Sequence, residues 1–482
     1  MKFASVSSVN YIIKIKHILI LLRRMKAKYI FENKYIHIAV LTIIAVLLYS
    51  ISCHYEMYPF FDDGQYILHN EHLGFNFQNI MRWLKQPCTT SFLPVTMFSF
   101  MFDYNLWGLD SFGYHLQNIF WFVITIIAIY ACFIKLKLKP WHAFVLVLIY
   151  AVHPQRVESV VWITERKDVL SGAFFFIALF FFINRFEKDK FNFITFFFYI
   201  LAIFSKPMAI SLPVVLVMID FSRKRHFSPV YYSKKYWPYV LVVIAYMIII
   251  INVKHNSLRA QPDYTRMFSV ILFNIYWFTK NAFVPNSYNA ISTFYPKIIF
   301  GWQAIAQILL FYSVIIGGGI VVFLKTKKET ILYCILPLVL CYFAVLSPVL
   351  GCFSFSSFDY ADRYNYIPSV FLLVSVGYIA PLIINHRSRR MITLLLMIYI
   401  MFLTYSTIKY LPCWKNNITL FTKSCNRQPA NIFAVQSLGL LEAKAGNYQK
   451  AMILVKRLRE DYLNDSFKMP VSGIPDASFI CL

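Results

Sequence analysis

The sequence predicts an all-α, polytopic membrane protein, and three observations lead there. Of 482 residues, 59% are hydrophobic and only 14% charged, against about a quarter charged in soluble domains. The apolar residues fall in long blocks, many at or near the ~20 residues that cross a hydrocarbon layer as a helix. Lys and Arg lie mostly in short loops between those blocks, where they set topology. This last point explains the net charge of +25 without nucleic acid. The partner that the composition calls for is the lipid bilayer.

Residues 1–35 read as a basic cytoplasmic arm, because no small-residue cleavage site follows the short apolar run Ile18–Leu22. Residues 36–410 form the multi-span domain. Its first span is Ile36–Cys53, and a large polar-aromatic loop follows over 54–113. Further spans are expected at Tyr114–Ile134, Ala143–Val152, Val169–Phe186, Phe191–Phe204, Ala209–Phe221, Trp237–Val253, Ala304–Leu324, Ile331–Leu346, Ile367–Ile384 and Met391–Tyr410, about a dozen membrane segments in all. The block Phe268–Val284 is amphipathic and interrupted by Asn274, Lys280 and Asn281. It suits an interfacial or re-entrant helix.

Charge tests this layout. Basic clusters occur in the arm, at Lys135/Lys137/Lys139, Arg185/Lys188/Lys190, Arg223–Arg225 with Lys234/Lys235, Lys325/Lys327/Lys328 and Arg387/Arg389/Arg390. If 268–284 does not cross, all of them fall on one side. The Asp62-Asp63 loop, His153–Asp168, Ser205-Lys206-Pro207, Lys254–Gln303, Ser347–Arg363 and the tail then share the other side.

Residues 411–482 change composition and read as a soluble helical tail. Leu438-Gly439, Gly446, Tyr448 and Ala451 have the spacing of about one tetratricopeptide-type (TPR) helix–turn–helix repeat.

Acid is scarce, with 22 Asp and Glu against 47 Lys and Arg, so an acidic pair just past the first span stands out. Asp62-Asp63-Gly64 has a plain account as a turn. It also suits a catalytic carboxylate acting as a general base or as a ligand for a divalent cation. The stretch His153, Arg156, Glu158, Glu165, Arg166, Lys167 and Asp168 is the densest charge between spans. It suits an interfacial helix with paired charges and a Trp162 anchor, or a phosphate site built on its basic residues. Lys206 snorkels or faces a phosphate. Asp362-Arg363 is a structural ion pair or a lipid-phosphate contact. No P-loop, dinucleotide fingerprint or zinc spacing is present.

These motifs together resemble a known family. Phe61-Asp62-Asp63-Gly64-Gln65-Tyr66-Ile67, Phe92-Leu93-Pro94-Val95-Thr96 and Gly113-Tyr114-His115-Leu116-Gln117-Asn118 are similar to segments of the transmembrane, TPR-bearing O-mannosyltransferase-like proteins. His153-Pro154 through Val157-Glu158-Ser159-Val160 and Trp162 to Glu165-Arg166-Lys167-Asp168 continue the match in order. Ser205-Lys206-Pro207-Met208, Ala361-Asp362-Arg363-Tyr364 and Trp414–Leu420 complete it. The His-Pro and Glu-Arg-Lys-Asp segments resemble the bacterial members most.

The resemblance implies a GT-C glycosyltransferase bundle. It implies transfer of a hexose, mannose or similar, from a polyprenyl-phosphate donor to a hydroxyl, a protein Ser or Thr among the candidate acceptors, on the non-cytoplasmic face. Asp62 or Asp63 inherits the catalytic role. Arg363, Lys206 and the basic residues of 156–167 inherit the carrier phosphate. No cofactor is specified, a divalent cation being the candidate. The setting is a bacterial inner membrane, or the endoplasmic reticulum membrane in a eukaryote. A transporter is disfavoured because the span centres are mostly uncharged and no internal repeat is visible. A non-catalytic scaffold that binds partners through its tail is the remaining alternative.

Overall fold

Local sequence marks the helix starts. In the computed structural model, which describes residues 32–59, 61–89, 91–185, 191–226, 228–254, 264–285, 302–350, 360–383, 386–427 and 431–463, Asn33 caps α1 (Lys34–Tyr49) by accepting from Tyr35 and Ile36 N–H. Asn76 caps α2 (Phe77–Lys85) and Asp110 caps α4 (Ser111–Lys135) in the same way. These side-chain oxygens satisfy amides that have no partner within the helix. Proline opens α3 (Pro94–Trp107) and α5 (Pro140–Ala151), where its missing N–H costs nothing. Next come the short α6 (Arg156–Val161), then α7 (Arg166–Asn184), α8 (Phe193–Ser205), α9 (Leu212–Lys224), α10 (Pro229–Lys254) and α11 (Tyr264–Phe283). The membrane domain continues with α12 (Trp302–Lys325), α13 (Leu336–Leu346), α14 (Pro368–Ile383) and α15 (Arg389–Tyr410). Three further helices form the tail, α16 (Asn417–Arg427), α17 (Ile432–Lys444) and α18 (Tyr448–Leu463).

The molecule is an all-α polytopic membrane protein. Among the described residues, the β pairing is one isolated bridge between Cys88 and Ser91. Among the described residues, seven helices are long and apolar enough to cross a membrane: Lys34–His54, Ser111–Lys135, Ile163–Asn184, Pro229–Val253, Ile305–Lys325, Lys328–Val349 and Arg389–Trp414. Three of the expected spans are shorter apolar helices, Pro140–Ala151, Phe193–Ser205 and Pro368–Leu382. The physical reason is clearest at α8. Pro207 pushes the residue before it out of helical space, Lys206 is extended (φ −153°, ψ 135°), and the helix stops. The block 268–284 lies in α11, with Asn274 and Asn281 buried, and is not one of the seven. The arm 1–31 lies outside the described residues, as do 464–482 of the tail and most of the two loops around 255–301 and 351–359.

Burial sorts the helices. α7 packs most extensively against α8 and α4, and 72% of its apolar window is buried, against none of the window in α12. So α7 is the central post and α12 the periphery. This matters because the charged stretch 165–168 opens α7.

The two ends of the bundle differ in charge. At one end Arg223 donates to the carbonyls of Ile183 and Lys135, both at 3.3 Å. Arg225 pairs with Glu329 at 3.1 Å, and Tyr378 donates to the Leu136 carbonyl. The C-terminal ends of α4, α7 and α9 therefore converge there, together with the turn before α13; Lys188 and Lys190 of the expected basic cluster lie outside the described residues. The opposite end gathers the acidic loop and the charged motifs.

Candidate functional site

The site begins with two neighbouring aspartates in unlike surroundings. Asp63 is fully buried. Its carboxylate accepts from Tyr58 N–H at 3.0 Å, Trp162 Nε1–H at 3.0 Å and Thr164 N–H at 3.1 Å. Burial pushes its pKa up to about 6 in spite of these donors. Asp63 thus stitches the first loop to the start of α7. The Asp62 side chain is 39% exposed and pairs with Lys167 Nζ at 3.0 Å. Gly64 completes the turn for a steric reason: a Cβ there would lie 2.1 Å from the Pro59 carbonyl oxygen.

From Lys167 an alternating ionic chain runs inward. Lys167 meets Glu165 at 3.2 Å. Glu165 also meets Lys206 Nζ and Arg363 Nε, each at 3.2 Å. Lys206 reaches Asp168 at 2.5 Å, and Arg363 pairs with Glu158. Three cations thus alternate with Asp62, Glu165, Asp168 and Glu158, drawn from four separate segments. The Glu165, Asp168 and Glu158 side chains are 1% exposed or less, while those of Lys167 and Lys206 are 13% and 11% exposed. Buried charges persist only when paired. Here the solvent-facing rim of the chain is Asp62, Lys167 and Lys206.

Aromatic residues wall this rim. Trp162 stacks on Phe61 at 4.3 Å and on Trp414 at 5.9 Å. The Lys167 ammonium and Arg363 guanidinium lie 5.6 and 5.3 Å from its ring, within cation–π range. Tyr58 donates to the Trp414 carbonyl. The first residues of the tail segment 411–482 therefore close over the first loop.

The remaining predicted residues lie deeper or elsewhere. Gln155 bridges Asp362 at 3.2 Å and Asn365 at 3.1 Å. Burial, with Glu158 nearby, raises the Asp362 carboxyl to about 8, so it is mainly neutral at pH 7. Arg156 spends its donors on the Tyr366 and Asn365 carbonyls at 2.8 and 3.1 Å. His153 accepts from Gln155 N–H at 3.2 Å, and burial holds its imidazole well below the usual range. Arg166 points away from the network. It is fully buried against Asp103 at 2.7 Å, donates to Asn118 Oδ1 and to the Tyr114 carbonyl at 2.8 Å, and lies over Phe100. It pins α3 and α4 to α7.

The sequence by itself assigns no role to Asp103, Asn118, Gln155 or Asn365. A lone Asp within the aromatic run of α3 was the available signal for Asp103. Among the described residues, no group of three or more His, Cys, Asp or Glu is placed to hold a metal. The carboxylates that a divalent cation would use are already neutralised by Lys and Arg, so this donor set does not suit one.

Comparison with known proteins adds independent support. A protein O-mannosyl-transferase of Caenorhabditis elegans is 24% identical over 381 residues, 72% of this chain and 50% of its own length. The chain is similar to protein O-mannosyltransferases. Two shorter matches agree. The protein O-mannosyl-transferase TMTC3 of Homo sapiens is 36% identical over 89 residues, 18% of this chain and 10% of its own. TMTC1 of Mus musculus is 33% identical over 89 residues, 18% of this chain and 9% of its own. The chain spans about half the length of the worm relative. No family model and no solved structure matches it.

Proposed function

We propose that this chain is a glycosyltransferase of the GT-C type. In this reading it moves a hexose, mannose first among the choices, from a polyprenyl-phosphate carrier to a hydroxyl, with a protein Ser or Thr as the natural acceptor. The observation behind it is the rim of the ionic network, where a half-exposed carboxylate, Asp62, stands 3.0 Å from the Lys167 ammonium. The names of the similar proteins point the same way.

The chemistry divides between the two signs of charge. Asp62 takes the proton of the acceptor hydroxyl as its oxygen attacks the sugar C1. The bond from C1 to the phosphate oxygen breaks, and the phosphate leaves with the electron pair. Lys167 and Lys206 stabilise that developing charge as fixed dipoles and cations do in a water-poor site. In the resting state Lys167 holds Asp62. An incoming phosphate competes for this ammonium and frees the carboxylate for the acceptor. Asp63, Glu165, Asp168, Glu158 and Arg363 position these groups. Asp362, His153, Arg156 and Arg166 build the frame around them. The site faces the non-cytoplasmic side, opposite the basic loops, with a bacterial plasma membrane as the setting. A tail carrying one TPR-like hairpin, α17–α18, lies near the acceptor side.

Transfer from labelled polyprenyl-phosphate mannose, measured in membranes containing wild type, Asp62→Asn or Asp63→Asn at matched expression, tests this. Loss in Asp62→Asn supports the assignment. Full transfer by Asp62→Asn removes Asp62 as the base.

A further inference from the structure

The ionic network occupies one end of the bundle. The basic end holds a cavity that the transfer reaction does not use. Its volume is about 540 Å³, and its walls include Phe191, Phe196, Tyr231 and Trp237 beside Lys234 and Lys235.

The two lysines are not equivalent. Lys235 Nζ lies 2.8 Å from the buried carboxylate of Asp220 and 2.7 Å from the Tyr231 hydroxyl. Lys234 is exposed and makes no side-chain hydrogen bond or ion pair among the described residues. Pro238, one turn on, has no N–H to give the Lys234 carbonyl. Lys224 Nζ sits 4.0 Å from the centre of the Tyr231 ring. Of the two lysines that line the cavity, Lys235 is committed to Asp220, which leaves Lys234 as the cation at its mouth.

The apolar wall opens outward, since Phe191 is 46% and Trp237 57% exposed. Trp237 stands in the first turns of α10, a helix apolar enough to span, and Trp is enriched at that depth of a bilayer. Arg223 joins the ends of α4 and α7 at this same end. A surplus cation over an aromatic wall at the level of the headgroups has a complementary shape and charge to one kind of ligand.

We propose that this cavity binds an anionic phospholipid of the surrounding leaflet. Lys234 holds the headgroup phosphate, and Phe191, Phe196 and Trp237 receive the first acyl carbons. A soluble phosphate leaves the aromatic wall wet. A zwitterionic lipid gains less from the surplus charge. The cavity volume lies in the range that small-molecule sites occupy, ~300–1,000 Å³.

The test is native mass spectrometry of the full chain released from nanodiscs of phosphatidylcholine and phosphatidylglycerol. Wild type is expected to retain phosphatidylglycerol preferentially. Lys234→Ala lowers that preference about fivefold and Lys234→Glu further, since one basic residue near an anionic surface is worth about that factor. Trp237→Ala weakens retention of both lipids. Lys450→Glu, an exposed charge on the tail, leaves the preference unchanged and controls for net charge. Equal retention of both lipids by wild type overturns the proposal. So does a preference that survives Lys234→Glu in monodisperse protein, one that Lys450→Glu lowers as much, or one that soluble glycerol phosphate competes away.

Discussion

Replacing Arg166 by Met separates a structural arginine from a phosphate-binding one. Arg166 and Asp103 are both fully buried and 2.7 Å apart. Met keeps most of the aliphatic stem but strands the Asp103 carboxylate, and breaking a buried pair costs about 3–5 kcal/mol. Asn118 and the Tyr114 carbonyl also lose a donor, adding roughly 1 kcal/mol each. Arg166→Met should therefore lose about 5–7 kcal/mol, a large share of the ~5–15 kcal/mol typical of folded proteins. Asp103→Leu alone strands the guanidinium, at a cost of about 3 kcal/mol. The double variant buries no charge, so its deficit should shrink to about 1–3 kcal/mol, what is left being the orphaned acceptors. The cycle then gives a coupling of at least ~5 kcal/mol. The assay is unfolding by dodecyl sulfate in mixed micelles, followed by tryptophan fluorescence on all four proteins. Additive losses, or an Arg166→Met protein as stable as wild type yet unable to transfer sugar, would refute this account and return Arg166 to the phosphate.

Other outcomes follow from the same geometry. Asp62→Asn should cut transfer by about 10²–10⁴ while shifting stability by no more than ~0.5 kcal/mol, because its ion pair is half-exposed; Asp63→Ala should instead lower the folded yield on size-exclusion, since three buried N–H groups lose their acceptor. Asp362 has a folded pKa of about 8 against 3.8 for the free group, so between those values the folded state binds more protons than the unfolded one. Stability from this group is fully present below pH ~4 and is lost as pH rises through ~8; Asp362→Asn, which keeps the Gln155 contact, should flatten the fall in melting temperature between pH 5 and 8.5. Gly64→Ala forces the 59–64 turn apart and should cost at least ~1–3 kcal/mol, as overpacking does; an unchanged melting temperature would show that the turn relaxes freely.

Much of this molecule was legible in its residue order. Long apolar blocks must become helices in a bilayer, because unpaired backbone groups have no water there. Loop lysines and arginines mark one end. The charged motifs at 62–63, 153–168, 206 and 362–363 stood out because charge is rare in such a chain. What stayed hidden was the division of labour within them. Asp62 and Asp63 are adjacent and chemically identical, and only the packing of Trp162 and Thr164 makes one a buried strut and the other a rim carboxylate. Arg166 and Lys167 are neighbours on α7, yet the step of about 100° between adjacent helix positions sends them to opposite surroundings. The shortened helix at Phe193–Ser205 was readable from Pro207, since a proline acts on its own neighbour.

The sequence by itself determined the membrane architecture, the basic end and the inventory of charged groups, because hydrophobic length and charge position act locally and need no partner to be recognised. The tertiary structure alone decided which charges pair. Asp62 with Lys167, Glu165 with Lys206, Glu158 with Arg363 and Asp103 with Arg166 are joined across 41 to 205 positions of chain. In a low-dielectric interior the energy of a charge depends on what stands within a few ångströms of it, and no linear distance along the chain records that.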